Sequence, residues 1–338
     1  MKKRLIEQYE FIFIIMIFLL SIVNAQNFKY ASYIFKFDDQ FSGGSWLLLK
    51  DTSIYRNFIK IRENPGHLRG AIGGIIDSWG NYVPFNSGQV SSGQRFTYYV
   101  DNSSSVYYSC NDSVYANCTG YITIIISSEY VISETFIKIS TYSFTIPDYY
   151  DGNWHSTTVS IKEDLNSIRG IEGGFKDTWG NFVPFNSGEV NPGDRITLYI
   201  DKGENNKIRV SNNKSSYTGK QAYIIVFSTA NTNDDNLIKT TTFYITPTQT
   251  DGYWYQTIST STIPTLNNIV ALIGGIWDCY GNFIPMCSGE VGQSKRITIY
   301  ADENGYYGDP ALIKISNNKG SPNSYGYRTG VITSYRIQ

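Results

Sequence analysis

The chain has 338 residues, of which 28 are Lys or Arg, 29 are Asp or Glu, and 15 % are aromatic. That length is sufficient for two or three domains of ordinary size. The formal net charge of −1 disfavours a nucleic-acid binder, which needs a basic surface to neutralise phosphates. The high aromatic content excludes a disordered chain and favours strands over helices.

The first 25 residues have the pattern of a secretory signal peptide. Basic residues at positions 2–4 precede an apolar run at 11–23, and Ala25 follows as a small residue at the cleavage position. An uncleaved membrane anchor is the alternative, and it is disfavoured because a spanning helix needs about 20 apolar residues. We therefore predict a signal peptide at 1–25, a secreted extracellular protein, and no membrane span in the remaining chain.

Secretion would make N-glycosylation sequons available to the cell's glycosylation machinery. The sequence predicts four acceptor sites, at Asn102, Asn111, Asn117 and Asn213.

A repeated block dominates the chain. Residues 73–88 recur at 173–188 and at 274–289, and Arg95, Arg195 and Arg296 follow the three copies at the same spacing. A repeat of about 100 residues is too long for a solenoid unit, so the pattern indicates tandem domains. We predict β-sandwich modules at 26–131, 132–235 and 236–338.

Within each repeat, residues alternate with period two between clusters of Gly, Asn, Asp and Pro. This pattern predicts about seven antiparallel strands per repeat and no helix. Seven strands in about 100 residues is typical of an immunoglobulin-like or fibronectin-like sandwich. The predicted fold class is therefore all-β, with three tandem antiparallel β-sandwich modules.

Four cysteines in a secreted chain predict two disulfides. Cys110 and Cys118 are eight residues apart, as are Cys279 and Cys287, so we expect each pair to bridge the arms of one hairpin. A zinc site is the alternative, disfavoured because the sequence has no CxxC pair.

No cofactor or resident metal is predicted. Carboxylates at strand ends and module junctions would be the ligands of a calcium site, but the sequence has no EF-hand loop to support one. The aspartates that would hold it are Asp101, Asp148, Asp151, Asp201, Asp251 and Asp302. Capping of strand-end turns is the other interpretation of these residues.

The strongest shared motif is Asp-x-(Trp/Tyr)-Gly-Asn. One interpretation is a hairpin turn, in which Gly and Asn accept positive φ and Asp caps backbone N–H groups. The other is a sugar platform, where the ring stacks on a pyranose while Asp and Asn bind its hydroxyls. The candidate ligand-binding residues are Asp77, Trp79, Asn81, Asp177, Trp179, Asn181, Asp278, Tyr280 and Asn282.

Two further repeated features have structural interpretations. Trp46, Trp154 and Trp254 lie near the start of each repeat, where a sandwich carries a core tryptophan. Double glycines at 73–74, 173–174 and 274–275 lie inside a strand pattern and indicate a bulge or a close backbone approach.

Nothing in the sequence points to catalysis. The two histidines, His67 and His155, occupy non-equivalent positions, and there is no Gly-x-Ser-x-Gly or His-Glu-x-x-His motif. We therefore predict a non-enzymatic binding protein that recognises extracellular carbohydrate or a cell-surface glycoprotein, or mediates cell adhesion, with avidity from three similar sites. The alternatives are a self-associating matrix or coat component and, less favoured, an extracellular hydrolase.

Overall fold

The computed structural model describes residues 28–37, 43–51, 58–130, 132, 134–229, 238–256, 258–259, 268–293, 295–302, 312–320 and 325–337. Over these ranges the chain forms strands, short 3-10 turns and no α-helix. The all-β prediction is confirmed. The predicted signal peptide and the boundary at 235 lie outside the described residues.

The strands divide among the three repeats. Those of the first repeat are β1 (Phe28–Lys36), β2 (Leu47–Leu48), β3 (Lys50–Asp51), β4 (Leu68–Ile76), β5 (Tyr82–Pro84), β6 (Phe96–Val100), β7 (Val106–Cys110) and β8 (Thr119–Ser127). Those of the second are β9 (Lys138–Thr145), β10 (Trp154–Ser160), β11 (Ile168–Lys176), β12 (Phe182–Pro184), β13 (Ile196–Asp201), β14 (Lys207–Asn212) and β15 (Gln221–Ser228). Those of the third are β16 (Ile238–Thr246), β17 (Trp254–Gln256), β18 (Ile258–Ser259), β19 (Ile269–Trp277), β20 (Phe283–Pro285), β21 (Ile297–Asp302), β22 (Leu312–Asn317) and β23 (Gly330–Ile337).

Single 3-10 turns connect some of the strands. They lie at Pro65–His67, Ser113–Tyr115, Ser128–Tyr130, Leu165–Ser167, Ser215–Tyr217 and Val291–Gln293.

Each of the three antiparallel sheets takes strands from two repeats. Their orders are β10-β14-β13-β5-β4-β8-β1-β3, β17-β22-β21-β12-β11-β15-β9 and β18-β16-β23-β19-β20-β6-β7-β2. The first repeat is thus joined to the second, the second to the third, and the third back to the first. The three repeats close into a ring with pseudo-threefold symmetry.

The core of each repeat lies between two sheets. In the second repeat, side chains of β9, β11, β12 and β15 face those of β13 and β14 across one buried cluster. This arrangement is sandwich-like. Separate immunoglobulin-like modules are not confirmed, because the sheets continue across the repeat junctions. The module boundaries stay predictions.

The aromatic residue after each Gly-Asn turn lies in the core of the neighbouring repeat. Tyr82 packs in the cluster of the second repeat, Phe182 in that of the third, and Phe283 in that of the first. All three are fully buried. At the same positions single backbone pairs join the strands of two repeats into one sheet, with Tyr82 opposite Ile200 and Phe283 opposite Val100. Each of these rings therefore forms an apolar connection between two neighbouring repeats.

The Ser-Gly pair that ends each block forms a second connection. The Ser187 hydroxyl donates to the Ile299 carbonyl, and the Thr298 hydroxyl donates to the Gly188 carbonyl at 2.6 Å. The other two junctions have the same pair of bonds. A Cβ on Gly188 would lie 1.6 Å from the Asp194 carbonyl oxygen. The repeated sequence is thus required largely by junction geometry.

The double glycines mark a close backbone approach. A Cβ on Gly73, Gly173 or Gly274 would lie 2.0–2.1 Å from a carbonyl oxygen of the neighbouring strand. The bulges of these strands lie earlier, between Leu68 and Gly70 in the first repeat. The close approach is thus the property that excludes a side chain at the first glycine.

A fourth apolar cluster joins all three repeats and contains Ile72, Ile125, Ile225, Phe227, Val270, Ala271, Ile273 and Tyr335. Glu172 occupies the repeat position of Ile72 and Ile273. It lines a small cavity of about 20 Å³ together with Asn86, Asn186 and Cys287. Burial raises the pKa of Glu172 to about 8. The centre of the ring therefore contains one acid in an otherwise apolar layer.

We expect Glu172→Gln to flatten the pH dependence of stability. Between the ordinary glutamate pKa of about 4.3 and about 8, the unfolded chain releases this proton while the folded chain keeps it. The free energy of unfolding of the unmodified chain therefore falls as pH rises through this window, by a few kcal/mol, and levels off above it. Urea denaturation from pH 5 to 9 measures the difference. Glu129→Gln, at an exposed site, is the control, and parallel curves for the two variants would contradict the prediction.

The predicted disulfides are not seen: within the described ranges no disulfide joins Cys110 to Cys118 or Cys279 to Cys287. β7 and β8 belong to different sheets, so Cys110 and Cys118 are not on one hairpin. The Cys110 thiol instead donates to the Asp112 carbonyl, and the Cys118 thiol donates to the Val114 carbonyl. In the third repeat Pro285 lies opposite Gly275. Position 287 therefore lies across from 273 and not from Cys279.

Candidate functional site

The Asp-x-(Trp/Tyr)-Gly-Asn motif forms the same closed turn in all three repeats. Asp77 Oδ1 accepts hydrogen bonds from the backbone N–H groups of Trp79 and Asn81, at 2.9 and 2.8 Å. The Asn81 amide donates to Asp77 Oδ2 at 3.0 Å. Asp177 and Asp278 make equivalent bonds. The aspartate thus caps the turn, as one of the two sequence interpretations proposed.

The asparagine of the turn also contacts the next repeat. Asn81 Oδ1 accepts from the Lys202 backbone N–H at 2.9 Å, and Asn282 Oδ1 accepts from the Asn102 N–H at 3.0 Å. Asp and Asn are therefore committed to the turn and the junction. Among the nine predicted binding residues, the three rings are the ones whose side chains extend outward.

The rings are exposed: the accessible fractions are 67 % for Trp79, 67 % for Trp179 and 58 % for Tyr280. Trp79 borders a groove of about 830 Å³ at the junction of the first and second repeats. Trp154 and Tyr199 of the second repeat lie in the lining of the same groove. The turn and the neighbouring repeat thus build one site together.

The three junctions have matching aromatic pairs. Trp154 packs edge-on against Tyr199 with ring centroids 4.7 Å apart, and Trp254–Tyr300 and Trp46–Tyr99 do so at 4.8 Å. All three tryptophans are half-buried. The prediction that they are core residues is therefore wrong: they lie on strands β10 and β17, or just before β2, at the surface of a junction.

The electrostatics repeat in the same way. Burial raises the pKa of Tyr199 to about 12, with smaller contributions from Asp201 and, across the junction, from Asp77. Burial likewise raises the pKa of Tyr99 and of Tyr300, and the turn aspartate of the preceding repeat contributes in both cases. All three tyrosines are neutral phenols at physiological pH. Each site thus combines neutral aromatic rings with a nearby turn carboxylate.

The first groove is lined by the motif residues Asp77 and Asn81 and also by polar residues from outside the motif. The lining includes Gln89, Gln94, Asp112 and Asp201. Gln94 is exposed, and Gln89 donates to the Asn153 side chain at 3.0 Å. Sequence reasoning missed these residues and the three tyrosines, although Tyr99, Tyr199 and Tyr300 occur at one repeat position and could have been found by that signal.

The aspartates considered for calcium do not gather. Within the described ranges no three His, Cys, Asp or Glu side chains form a group suited to a metal ion. Asp101 instead accepts from the N–H groups of Ser103 and Ser105, at 2.9 and 2.7 Å. The structure thus shows this residue as a turn cap.

The histidines lie in aromatic contacts. His67 packs on Tyr130 with ring centroids 3.9 Å apart. His155 stacks on Tyr149 at 4.0 Å and contacts Asp151 at 2.9 Å. Neither is part of the groove lining.

The sequon asparagines Asn102, Asn111, Asn117 and Asn213 are all exposed. Asn111 Oδ1 accepts from the Arg95 N–H at 2.9 Å, and Asn213 Oδ1 accepts from the Arg195 N–H at 3.0 Å.

In the part of the chain that the structure describes, no helix has the length and apolar character needed to cross a membrane.

Comparison with known proteins gives no match: no protein-family model fits the chain, and no curated protein is significantly similar to it. The geometry of the grooves is therefore the basis for any functional conclusion.

Proposed function

We propose that the protein binds extracellular carbohydrate through three equivalent aromatic grooves, one at each junction between repeats. The observation that carries the proposal is the exposed ring of Trp79, which lies in one groove with the Trp154–Tyr199 pair of the neighbouring repeat. Trp179 and Tyr280 are exposed at the equivalent turns, and the pairs Trp254–Tyr300 and Trp46–Tyr99 recur in the other two repeats. An exposed indole offers an apolar face, and stacking on the C–H face of a pyranose would bury it.

The shape and chemistry of the first groove support the same ligand class. Its volume of about 830 Å³ is within the ordinary range for small-molecule sites. Rings on two sides with amides and carboxylates between them match a sugar, which presents alternating apolar faces and hydroxyls. A neutral ligand also fits a chain of net charge −1, since no basic surface is needed to attract it.

The ring of repeats makes the proposal multivalent. Three similar sites on one rigid body can engage a polysaccharide or a cell-surface glycoprotein together, which raises avidity without new contacts. Adhesion of cells is the biological form of such binding. Secretion, glycosylation at the four exposed sequons, and a non-enzymatic role are parts of this proposal, and deglycosylation followed by intact-mass measurement tests the sequons directly.

A glycan array tests the proposed function. We expect the full-length chain to bind a subset of neutral glycans in a manner that persists at 0.5 M NaCl, and Trp179→Ala to weaken the signal. Phe136→Ala removes an equally exposed ring, 71 % accessible, outside the lining of the first groove, and is the matched control. An array on which the unmodified chain binds nothing, or on which Trp179→Ala binds as the control does, would overturn the proposal.

A further inference from the structure

Three buried arginines come together at the repeat junctions. Arg95, Arg195 and Arg296 hold equivalent positions and are 4 %, 7 % and 5 % exposed. All three line one cavity of about 340 Å³, together with valines 90, 190 and 291, one from each repeat. The cavity therefore lies where the three repeats meet and is separate from the aromatic grooves.

No acidic side chain compensates these charges. Among the described residues none of the three guanidinium groups forms an ion pair, and Asp194, which precedes Arg195, pairs with Lys214 at 3.1 Å. Burial, and then the charges of Arg296 and Arg195, hold the pKa of Arg95 well below its usual range. Burial, and then the charge of Arg296, also lower the pKa of Arg195, so like charges repel one another across the cavity.

Some of the guanidinium donors lack a partner. Arg95 Nη1 and Arg195 Nε are buried and make no hydrogen bond. Burying a charged donor without a partner is costly, and a native structure that keeps such groups requires an explanation. Three arginines around one cavity, two of them with an unused N–H donor, are an arrangement suited to binding an oxyanion.

We propose that this cavity, the arginine pocket, is a binding site for a tetrahedral oxyanion, a sulfate or phosphate group either free or as an ester. The anion supplies the missing negative charge and accepts from guanidinium N–H groups of all three repeats. The cavity exceeds the space of a single water, about 30 Å³, and accommodates a small ester as well as the free ion. Because every repeat contributes one arginine, the anion also joins the three repeats.

Thermal unfolding in dilute anion tests the proposal. In the unmodified chain, sulfate or phosphate up to 10 mM is expected to raise the melting temperature saturably, compared with chloride at the same ionic strength. The concentration is kept low because sulfate at high concentration stabilises proteins in general. Calorimetric titration gives the dissociation constant, and glucose 6-phosphate against inorganic phosphate distinguishes an ester from the free ion, with glucose alone as the control for binding in the aromatic grooves.

Arg195→Met shows whether the pocket is the site. It is expected to weaken sulfate binding at least tenfold and, in chloride alone, to leave the melting temperature unchanged or higher, since one repelling charge is gone. A merely structural arginine would instead lower it. Arg62→Met, at an exposed position, removes the same charge as a control and is expected to keep the sulfate response. Equal responses to sulfate and chloride in the unmodified chain, or a sulfate response retained in Arg195→Met, would overturn the proposal.

Discussion

Phe182→Ala is expected to lower the free energy of unfolding of the whole chain by about 3–5 kcal/mol, the usual cost of removing a buried phenylalanine. Phe182 is fully buried, belongs to the second repeat and packs in the core of the third. The substitution therefore leaves a cavity at a junction. Because the sheets are continuous across junctions, we expect one cooperative urea transition that shifts as a unit. Far-UV and near-UV circular dichroism measure this transition.

The control for this prediction is Phe136→Ala, a phenylalanine at an exposed site, where substitutions usually change stability by less than about 0.5 kcal/mol. If the repeats were independent domains, Phe182→Ala would shift only part of a multiphase transition. That result, or a loss below about 1 kcal/mol, would show that the junction contributes little to stability.

Part of this architecture could be predicted from the sequence because it is local. Alternation and turn residues indicated strands, and the motif indicated a turn capped by Asp77, which its hydrogen bonds confirm. The ring closure could not be predicted, because it depends on pairings such as Phe283 with Val100, more than 180 residues apart. Spacing in a repeat shows that copies are alike and leaves open whether a strand pairs within its own copy or with the next.

The errors in the site have the same origin. The sandwich pattern predicts Trp154 in a core, but the residue packs on Tyr199 and lines the groove at a junction between repeats. The spacing of eight predicts a Cys279–Cys287 bridge, but Asn86 and Asn186 hold the position of Cys287 in the other repeats, and all three adopt positive φ near 65°. The backbone at this repeat position therefore requires a positive φ. The same repeat register gives Arg95, Arg195 and Arg296 equivalent positions, but only the closure of the three repeats into a ring brings them together.

Removing all three turn rings, in Trp79→Ala/Trp179→Ala/Tyr280→Ala, is expected to abolish binding to a multivalent polysaccharide. One stacked ring contributes about 1 kcal/mol beyond its buried area, so each substitution should weaken its own groove roughly tenfold once the buried apolar area is included. Simultaneous engagement of several grooves multiplies affinity by about 10²–10⁴, and the triple variant loses that factor as well. Surface plasmon resonance on an immobilised glycan that the array identifies measures both variants.

Since the three rings are largely exposed, the triple variant should unfold at the same urea concentration as the unmodified chain. Equal losses of affinity in the single and triple variants would mean that one groove acts alone. A triple variant that still binds would place the carbohydrate site elsewhere on the protein.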